Sequence, residues 1–503
     1  MKDLKLPKLS YNWISASGAI LITITLIIMT FLYIVDLFAS DTNPYLGIFL
    51  YMFLPVFLVV GLLLIPFGMY HRWRQIKKTG RTDYPAWPYI DLNIKRHRNA
   101  SVVFLIGTVF ILGSGAIGSY QAYHYSESVT FCGKTCHTVM EPEYTAYQNS
   151  PHARVACVAC HVGPGADWFA KSKLSGLYQV YATVADKFPR PIPTPIENLR
   201  PARETCEQCH WPEKFFGAQQ RQYDHFMYDE ENTPWSISLL VKTGGGHPNT
   251  GQVSGIHWHM FIGKKIEYIP RNRLRQDIPW VRATDLETGL VTVYQDRDKP
   301  LTQDILDTAA TRTVDCVDCH NRPSHIYNAP DHAIDKAMQA GYEWRDLPEI
   351  KRIAVEAMTA KYPSRYEGYR GIDTTMKKFY RDNHPDIYKN NLPAIEAAVA
   401  ATRRQFAVNI FPDMIVSWEK YPDNLGHFYN VGCMRCHDGN HASADGRIIT
   451  TGCNSCHVLI AQGKTGEMEY STASEGLPFK HPEDIDDAWL EMGCFECHTG
   501  VQP

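Results

Sequence analysis

The feature that most constrains this sequence is its cysteine pattern. All fourteen cysteines fall into seven closely spaced pairs, and a histidine directly follows every pair. Two residues separate the cysteines in six pairs, and three residues separate them in the first pair. The seven groups are Cys132/Cys136/His137, Cys157/Cys160/His161, Cys206/Cys209/His210, Cys316/Cys319/His320, Cys433/Cys436/His437, Cys453/Cys456/His457 and Cys494/Cys497/His498. No cysteine is left over, so one chemistry accounts for all of them.

The spacing C-x-x-C-H is the attachment signature of c-type haem. Two thioether bonds join such a porphyrin to the chain, and the adjacent histidine is placed to ligate its iron. Disulfide bonds would also give an even cysteine count, and zinc sites use similar pairs, but neither requires a histidine after each pair. We therefore predict seven c-type haems, held by the fourteen cysteines and ligated by the seven proximal histidines, in a protein that transfers electrons.

Three apolar stretches precede the first cysteine pair, at residues 13–38, 45–69 and 101–120. Each is close to the ~20 residues that a helix needs to cross a bilayer core. Pro55 and Pro66 lie in the second stretch, and membrane helices tolerate proline. We predict three transmembrane helices, of which the first is too long for the apolar core of a signal peptide.

The distribution of lysine and arginine predicts the orientation of these helices. Lys2, Lys5 and Lys8 precede the first span, eight Lys and Arg residues lie between the second and third spans, and residues 39–44 contain none. Because short basic loops stay in the cytoplasm, we expect a cytoplasmic N-terminus and a periplasmic location for everything after residue 120. The spans contain no histidine, so no haem path crosses the predicted membrane.

The predicted fold is a set of three N-terminal transmembrane helices followed by an extramembrane multihaem domain, mainly helix and loop with a small β insertion. Residues 256–262 and 290–294 have the composition of strands, whereas residues 331–410 show helical apolar spacing. We predict five segments: a membrane hairpin with a basic cytoplasmic loop (1–100), a third membrane helix with haems 1–3 (101–211), a β-containing segment with haem 4 (212–330), a helical segment (331–432) and a C-terminal three-haem segment (433–503).

Net charge differs between the two ends of the chain. Residues 1–100 hold 11 Lys and Arg against 5 Asp and Glu, a charge of +6, so the other residues carry −9 of the total of −3. An acidic outer domain favours basic soluble partners and argues against nucleic acid, although ordinary solubility explains the charge equally well.

Each haem also needs a ligand on its second face. Histidines near a haem signature are the best candidates for this distal position, together with one of two histidines on the predicted strand. They are His325, His427, His441, His481, and His257 or His259. We interpret His225, His332 and His384 as solvated surface residues.

The sequence from Phe131 to His161 resembles the start of the NapC/NirT family of membrane-anchored multihaem quinol dehydrogenases. The resemblance is carried by the first two haem signatures, by Met140 and Pro142, and by the Ser150-Pro151-His152 segment. It covers about residues 101–211, and the later signatures are similar to those of seven-haem inner-membrane cytochromes of metal-respiring bacteria.

This resemblance implies further site residues. Met140 corresponds to the methionine ligand of the first haem, and His152 corresponds to a histidine that ligates another haem. Lys173 and Gln179 fall where the family places the lysine and the acidic residue of a quinol site beside the first haem. The alternative for Met140 is a core position, and for Lys173 a solvated helix position.

We expect the protein to oxidise menaquinol at the periplasmic face of the bacterial inner membrane and to pass electrons to periplasmic c-type cytochromes. Reverse flow, which reduces quinone, remains open, because haem potentials decide the direction. A relay subunit bound to other membrane respiratory subunits is a further alternative. A nitrite or hydroxylamine reductase ranks lowest, because no signature carries the lysine that marks the open haem of such enzymes.

Overall fold

The computed structural model describes residues 8–38, 54–80, 90–135, 137–163, 165–196, 200–211, 215, 217–244, 255–260, 263–340 and 343–501. The chain divides into two compact units. The first unit combines Met1–Glu127 with Val162–Ser175, and the second combines Ser128–His161 with Gly176–Pro503. The predicted fold class is confirmed, because three long apolar helices lie at the N-terminus and the remaining chain is mainly helix and loop with two small sheets.

The first unit contains three helices that are long and apolar enough to span a membrane. They are α1 (Trp13–Phe38), α2 (Leu54–Thr79) and α3 (Lys95–Ser126). Residues 45–53 of the second predicted span lie outside the described residues. Helices α2 and α3 extend past the predicted spans, because backbone hydrogen bonding continues into polar flanking residues that a bilayer core would not hold.

Small residues bring α1 and α2 together. A side chain on Gly18 would come within 2.7 Å of the backbone oxygen of Gly61. Ser15 Oγ donates a hydrogen bond to the backbone oxygen of Ile65, at 2.9 Å. Lipid is as apolar as the side chains, so the hydrophobic effect does not drive helices together inside a membrane, and close packing at small residues does so instead. The two helices therefore form a packed hairpin.

A helical segment provides the main apolar core of the second unit. Its helices are α6 (Pro330–Gln339), α7 (Ile350–Thr359), α8 (Arg365–Asn383), α9 (Pro385–Asn390) and α10 (Leu392–Asn409), and they follow α4 (His137–Gln148) and α5 (Ala166–Val184) in the chain. Ile334, Met376 and Phe406 are fully buried among these helices. The helical prediction for residues 331–410 is thus confirmed.

Two antiparallel sheets lie in the same unit. The four-stranded sheet has the order β1-β2-β8-β9, and the five-stranded sheet has the order β6-β3-β4-β5-β7. The strands are β1 (Gln219–Phe226), β2 (Pro234–Val241), β3 (Lys264–Ile269), β4 (Trp280–Asp285), β5 (Val291–Asp296), β6 (Arg312–Thr313), β7 (His441–Ser443), β8 (His457–Lys464) and β9 (Glu469–Tyr470). Strand β5 confirms the strand predicted around Leu290–Tyr294.

The strand predicted at residues 256–262 is wrong. The segment Ile256–Met260 forms a 3-10 helix, and residues 261–262 lie outside the described part of the chain. Gly255 precedes this helix with φ +105, and a side chain there would come within 2.4 Å of the backbone oxygen of Lys242. Glycine adopts this positive φ without strain. The turn at Gly255 is followed by a 3-10 helix instead of the β-strand that the alternating apolar residues predicted.

The haem signatures occupy short elements. Signature residues lie in the short helices Cys157–His161, Ala202–Cys206, Cys316–Cys319 and Cys494–Cys497, in the π-helical turn Phe131–Thr135, and in the 3-10 turns Gly432–Arg435 and Cys453–Ser455. The other short elements contain no signature residue: they are the helix Gln303–Thr308 and the 3-10 turns Lys8–Ser10, Glu343–Asp346, Pro412–Met414 and Ala488–Leu490.

We expect Phe406→Ala to destabilise the helical segment. The Phe406 ring fills the space beside Gly368 and packs edge to face against Tyr362, so its removal leaves a cavity that costs about 3–5 kcal/mol. Thermal unfolding followed by circular dichroism measures the loss. Tyr366→Ala is the matched control, because Tyr366 is exposed on α8 and should leave the transition in place; equal losses in both variants would contradict this account.

Candidate multihaem site

Each of six predicted proximal histidines faces a second histidine across a gap of about 6 Å. The ring centroids are 5.8 to 6.4 Å apart in these six pairs. The pairs are His161 with His325, His210 with His152, His320 with His257, His437 with His259, His457 with His427, and His498 with His481. All twelve histidines belong to the second unit.

This separation fits one metal ion between two imidazoles. A metal–imidazole bond is about 2 Å long, and the ligating nitrogen lies roughly 1 Å from the ring centre, so two rings that share an ion are about 6 Å apart. Rings in direct van der Waals contact would be closer. The residues present therefore fit an iron porphyrin at these six sites.

Backbone carbonyls orient several of these rings. Nδ1 of His257 donates to the backbone oxygen of Thr243 at 2.6 Å, and Nδ1 of His437 donates to that of Thr450 at 2.7 Å. His259 donates from Nδ1 in the same way, at 3.0 Å. A proton fixed on Nδ1 leaves the lone pair on Nε2, which is how second-shell partners prepare an imidazole for a metal.

Burial keeps several of the rings neutral. It lowers the pKa of His161, His320 and His457, and it lowers the pKa of His498 to about 4. The neutral imidazole is the form that ligates a metal, so these rings need not lose a proton in order to bind iron.

The 3-10 helix at Ile256–Met260 separates two ligand candidates that a strand would have kept on one face. With about three residues per turn, His257 and His259 point in directions that differ by about 120°. His257 faces His320, whereas His259 faces His437. The sequence analysis expected one of these two histidines as a ligand, and the structure places both in pairs.

His441 differs from the other distal candidates. Its Nδ1 donates to Asp438 at 2.8 Å, and its Nε2 donates to the backbone oxygen of Ile278 at 2.6 Å. Burial opposes the effect, but these hydrogen bonds raise the pKa of His441. Since both ring nitrogens are occupied, the structure does not support His441 as an iron ligand.

The first site lies partly outside the described residues. Cys136 and the side chain of His137 belong to the undescribed part. Met140 is half-buried on α4, three residues after His137. The wider cysteine spacing coincides with the π-helical turn Phe131–Thr135, which accommodates an additional residue in a helical backbone.

The described cysteines do not support the disulfide alternative. The thirteen that the structure describes all have free thiols. The zinc alternative requires clusters of three or more ligands, and the described residues contain no such group that could hold a metal ion.

The predicted attachment cysteines differ in exposure. Nine of those described are half-buried, and four are exposed: Cys209, Cys433, Cys453 and Cys497. Cys209 is exposed because the short helix Ala202–Cys206 ends before it, and the chain continues in a turn in which the backbone nitrogen of Cys209 donates to the oxygen of Cys206 at 3.1 Å.

Haem attachment at Cys209 therefore stays a prediction from the signature. Its partner in the signature, Cys206, is half-buried, and the adjacent His210 faces His152. The third site thus combines an exposed cysteine with a paired proximal histidine.

Successive sites contact one another in sequence order. With the sites numbered in chain order, the side chains of Cys132 and Cys157 lie close together, and so do those of Cys206 and Cys316. These contacts join site 1 to site 2 and site 3 to site 4. Sites 2 and 3 adjoin through contact between the short helices Cys157–His161 and Ala202–Cys206.

The later sites are joined in the same manner. Arg435 of site 5 donates from Nη2 to the backbone oxygen of Asp318 in site 4, at 2.6 Å. The backbone nitrogen of Cys433 in site 5 donates to Gly426, next to the site 6 histidine His427, at 3.0 Å. The ring of Phe428 then stacks on His498 of site 7, with centroids 4.4 Å apart. The seven signatures thus form one continuous series.

The quinol-site candidates lie on α5. Lys173 Nζ is 3.7 Å from Oε1 of Glu127, and both residues belong to the first unit. Tyr123 donates to the other oxygen, Oε2, at 2.9 Å. Gln179 lies further along α5 with an exposed side chain. Glu127 was not predicted from the sequence, and its position five residues before Cys132 is the signal that could have identified it.

The three histidines interpreted as solvated surface residues are instead half-buried. His225 pairs with Asp335 at 3.2 Å, and Nε2 of His384 is 3.9 Å from Glu349. Burial lowers the pKa of His332 to about 3. That interpretation is therefore wrong, because each of the three packs against an aromatic ring: His225 against Phe428, His332 against Tyr429 and His384 against Phe379.

Comparisons with known proteins agree with this geometry. The family model of the NapC/NirT cytochrome c family, N-terminal region, matches residues 95–191. The cytochrome c-type protein ImcH of Geobacter sulfurreducens is 41% identical over 491 residues, which cover 98% of this chain and 96% of that protein. The chain matches no solved structure.

The family resemblance inferred from residues 131–161 is therefore confirmed over residues 95–191, and the similarity to ImcH covers nearly the whole chain. Covalently bound haem and a role in electron transport follow from membership of a cytochrome c family. The chain belongs to the NapC/NirT family of c-type cytochromes.

Proposed function

We propose that the chain binds seven c-type haems and transfers electrons from membrane quinol to a soluble periplasmic cytochrome. The six histidine pairs carry this proposal, because each pair has the separation of two imidazoles that share one iron. The first haem takes His137 and Met140. A histidine on both faces closes six irons to small substrates, which argues against a nitrite or hydroxylamine reductase.

The basic loops support an orientation in which the N-terminus faces the cytoplasm and all haems face the periplasm. Since the spans contain no histidine, electrons enter and leave on the outer side. The contacts between successive sites support a path from site 1 to site 7.

Glu127 and Lys173 are the groups that we propose for quinol binding. Glu127 Oε1 is buried and accepts no hydrogen bond from the residues that the structure describes, and at 3.7 Å the Lys173 ammonium is beyond hydrogen-bonding distance. A quinol hydroxyl could donate to this oxygen. Quinol oxidation releases protons with the electrons, so a carboxylate can act as the base while the lysine stabilises its charge. The bound haems supply the electron acceptor.

We expect His259→Met to change one haem and His441→Gln to change none. Methionine in place of a histidine ligand raises the haem potential, so one midpoint should rise and a methionine–iron charge-transfer absorption should appear. Spectroelectrochemical titration measures the midpoints, and a pyridine haemochrome assay should return seven haems per chain in both proteins. A shift in His441→Gln with none in His259→Met would reverse our ligand assignment.

We expect Glu127→Gln to slow haem reduction by menaquinol about 100-fold, because loss of a general base costs 10²–10⁴-fold. Lys173→Leu should slow the reaction in the same assay, anaerobic stopped-flow mixing of the detergent-solubilised protein with menaquinol. Lys171→Leu is the control, since Lys171 lies on the same helix over the Trp168 ring. Full rates in both Glu127→Gln and Lys173→Leu would remove this pair from the quinol site.

The C-terminal segment supplies a docking surface for a basic partner. Residues 481–503 contain six acidic residues, all exposed, and no lysine or arginine. They are Glu483, Asp484, Asp486, Asp487, Glu491 and Glu496. Leu490 and Met492 are 66% and 43% exposed among them, and Cys497 of site 7 is exposed as well. Such a surface beside the last haem suits electron transfer to a positively charged cytochrome.

We expect replacement of Asp484, Asp486 and Asp487 by asparagine to slow reduction of a basic c-type cytochrome by the pre-reduced protein. Asp486 and Asp487 have φ 51 and 60, a conformation that asparagine tolerates. The wild-type rate should fall as ionic strength rises, and the variant should lose this dependence. Neutralising Asp346, Asp382 and Asp386 in the helical segment is the control. Equal rates for wild type and variant at low salt would place the docking surface elsewhere.

A further inference from the structure

His325 has a hydrogen-bonding environment unlike that of the other paired histidines. Its Nδ1 donates to the backbone oxygen of Glu143 at 3.0 Å and lies 3.1 Å from Oε2 of the same residue. For His257 and His437, the partner of Nδ1 is a backbone carbonyl. Among the residues that the structure describes, His325 is the one paired histidine within salt-bridge distance of a carboxylate.

An arginine shares this carboxylate. Arg322 Nη2 lies 3.3 Å from both oxygens of Glu143, and Arg322 Nε donates to the backbone oxygen of His325 at 2.8 Å. The Arg322 guanidinium also lies over the rings of Tyr327 and Tyr421, at 5.1 and 4.5 Å. The side chains of Arg322 and Glu143 are 9% and 23% exposed. The carboxylate is therefore held in place and is partly shielded from water.

A negative charge beside Nδ1 alters the imidazole, even though Nδ1 donates its hydrogen bond to the backbone oxygen of Glu143. The carboxylate 3.1 Å away stabilises positive charge on the ring and so makes the ring a stronger electron donor through Nε2. A stronger donor stabilises ferric over ferrous iron, and hydrogen bonding around ligands is one of the levers that set haem potential. Partial burial strengthens the effect, because the local dielectric constant is lower than that of water.

We propose that Glu143 lowers the reduction potential of the haem at site 2 by acting through His325, and that Arg322 limits the size of the effect. Glu143 is a positioning and tuning residue and does not touch the iron. The proposal rests on the His161–His325 ligand pair of the proposed function, and it does not depend on quinol as the electron donor.

The position of Glu143 relates the proposed change in haem potential to the order in which the haems pass electrons. Glu143 lies on α4, three residues after Met140 and therefore on the same helical face. One short helix thus carries the proposed ligands of the first haem and the carboxylate that acts on the second. A lowered potential keeps haem 2 oxidised when its neighbours are reduced. Haem 2 can then accept an electron from haem 1, the haem at which electrons enter.

The test is Glu143→Gln in the purified full-length protein. Glutamine keeps the shape of the side chain and removes its charge. We expect one of the seven midpoints in a spectroelectrochemical titration to rise by at least a tenfold change in the one-electron equilibrium, about 59 mV, while the other six stay in place. The electron paramagnetic resonance signal of one low-spin ferric haem should move with it, because the negative charge beside its ligand is lost.

Two further variants make the test specific. Glu141→Gln is the matched control, because Glu141 lies on the same helix and pairs with Arg365 instead of a histidine. It should leave all seven midpoints in place. Arg322→Gln removes the competing cation and should lower the midpoint that Glu143→Gln raises, whereas general loosening of the fold would not reverse the sign.

Either variant that retains seven haems decides the question. Unchanged midpoints in Glu143→Gln or in Arg322→Gln would overturn the proposal, and so would an equal shift in Glu141→Gln. A haem content below seven in the wild-type protein would instead count against the proposed function. The two failures are therefore distinguishable.

Discussion

The histidine pairs are the constraint on which the second unit depends. Four of the six pairs join parts of the chain that are distant in sequence, such as His161 with His325 and His259 with His437. The paired rings stand about 6 Å apart instead of packing on each other, which suits a shared iron, whereas protein interiors are otherwise close-packed. Iron porphyrin supplies contacts on both of its faces, so we expect cofactor attachment and folding of this unit to depend on each other.

The features that could be predicted from the sequence are those that depend on residues close together in the chain. A haem signature specifies two cysteines and one ligand within five residues, and apolar length specifies a membrane span, so neither requires knowledge of tertiary structure. A distal ligand depends on which distant segments meet. His325 and His481 were predicted because they lie near a signature, and they face His161 and His498. The same reasoning selected His441, whose ring nitrogens donate to Asp438 and to the backbone oxygen of Ile278.

The segment around His257 shows where local pattern fails. Alternating apolar residues predicted a strand, which would have placed His257 and His259 on one face. The turn at Gly255 and the 3-10 helix after it direct the two rings to different partners. Similarly, the resemblance pointed to Gln179 as the neighbour of Lys173, whereas the structure brings Glu127, from just beyond the end of α3, to 3.7 Å from Lys173. In both cases a contact between separate elements decided the outcome.

The same arrangement bears on energy conservation. If quinol gives up its protons and electrons on the outer face, neither crosses the membrane, and the reaction does not itself build a membrane potential. The free energy of quinol oxidation is then available only to move electrons along the haems, so their relative potentials govern the useful work. On our proposal, a carboxylate beside one candidate ligand, such as Glu143 beside His325, changes that sequence of potentials at a single haem.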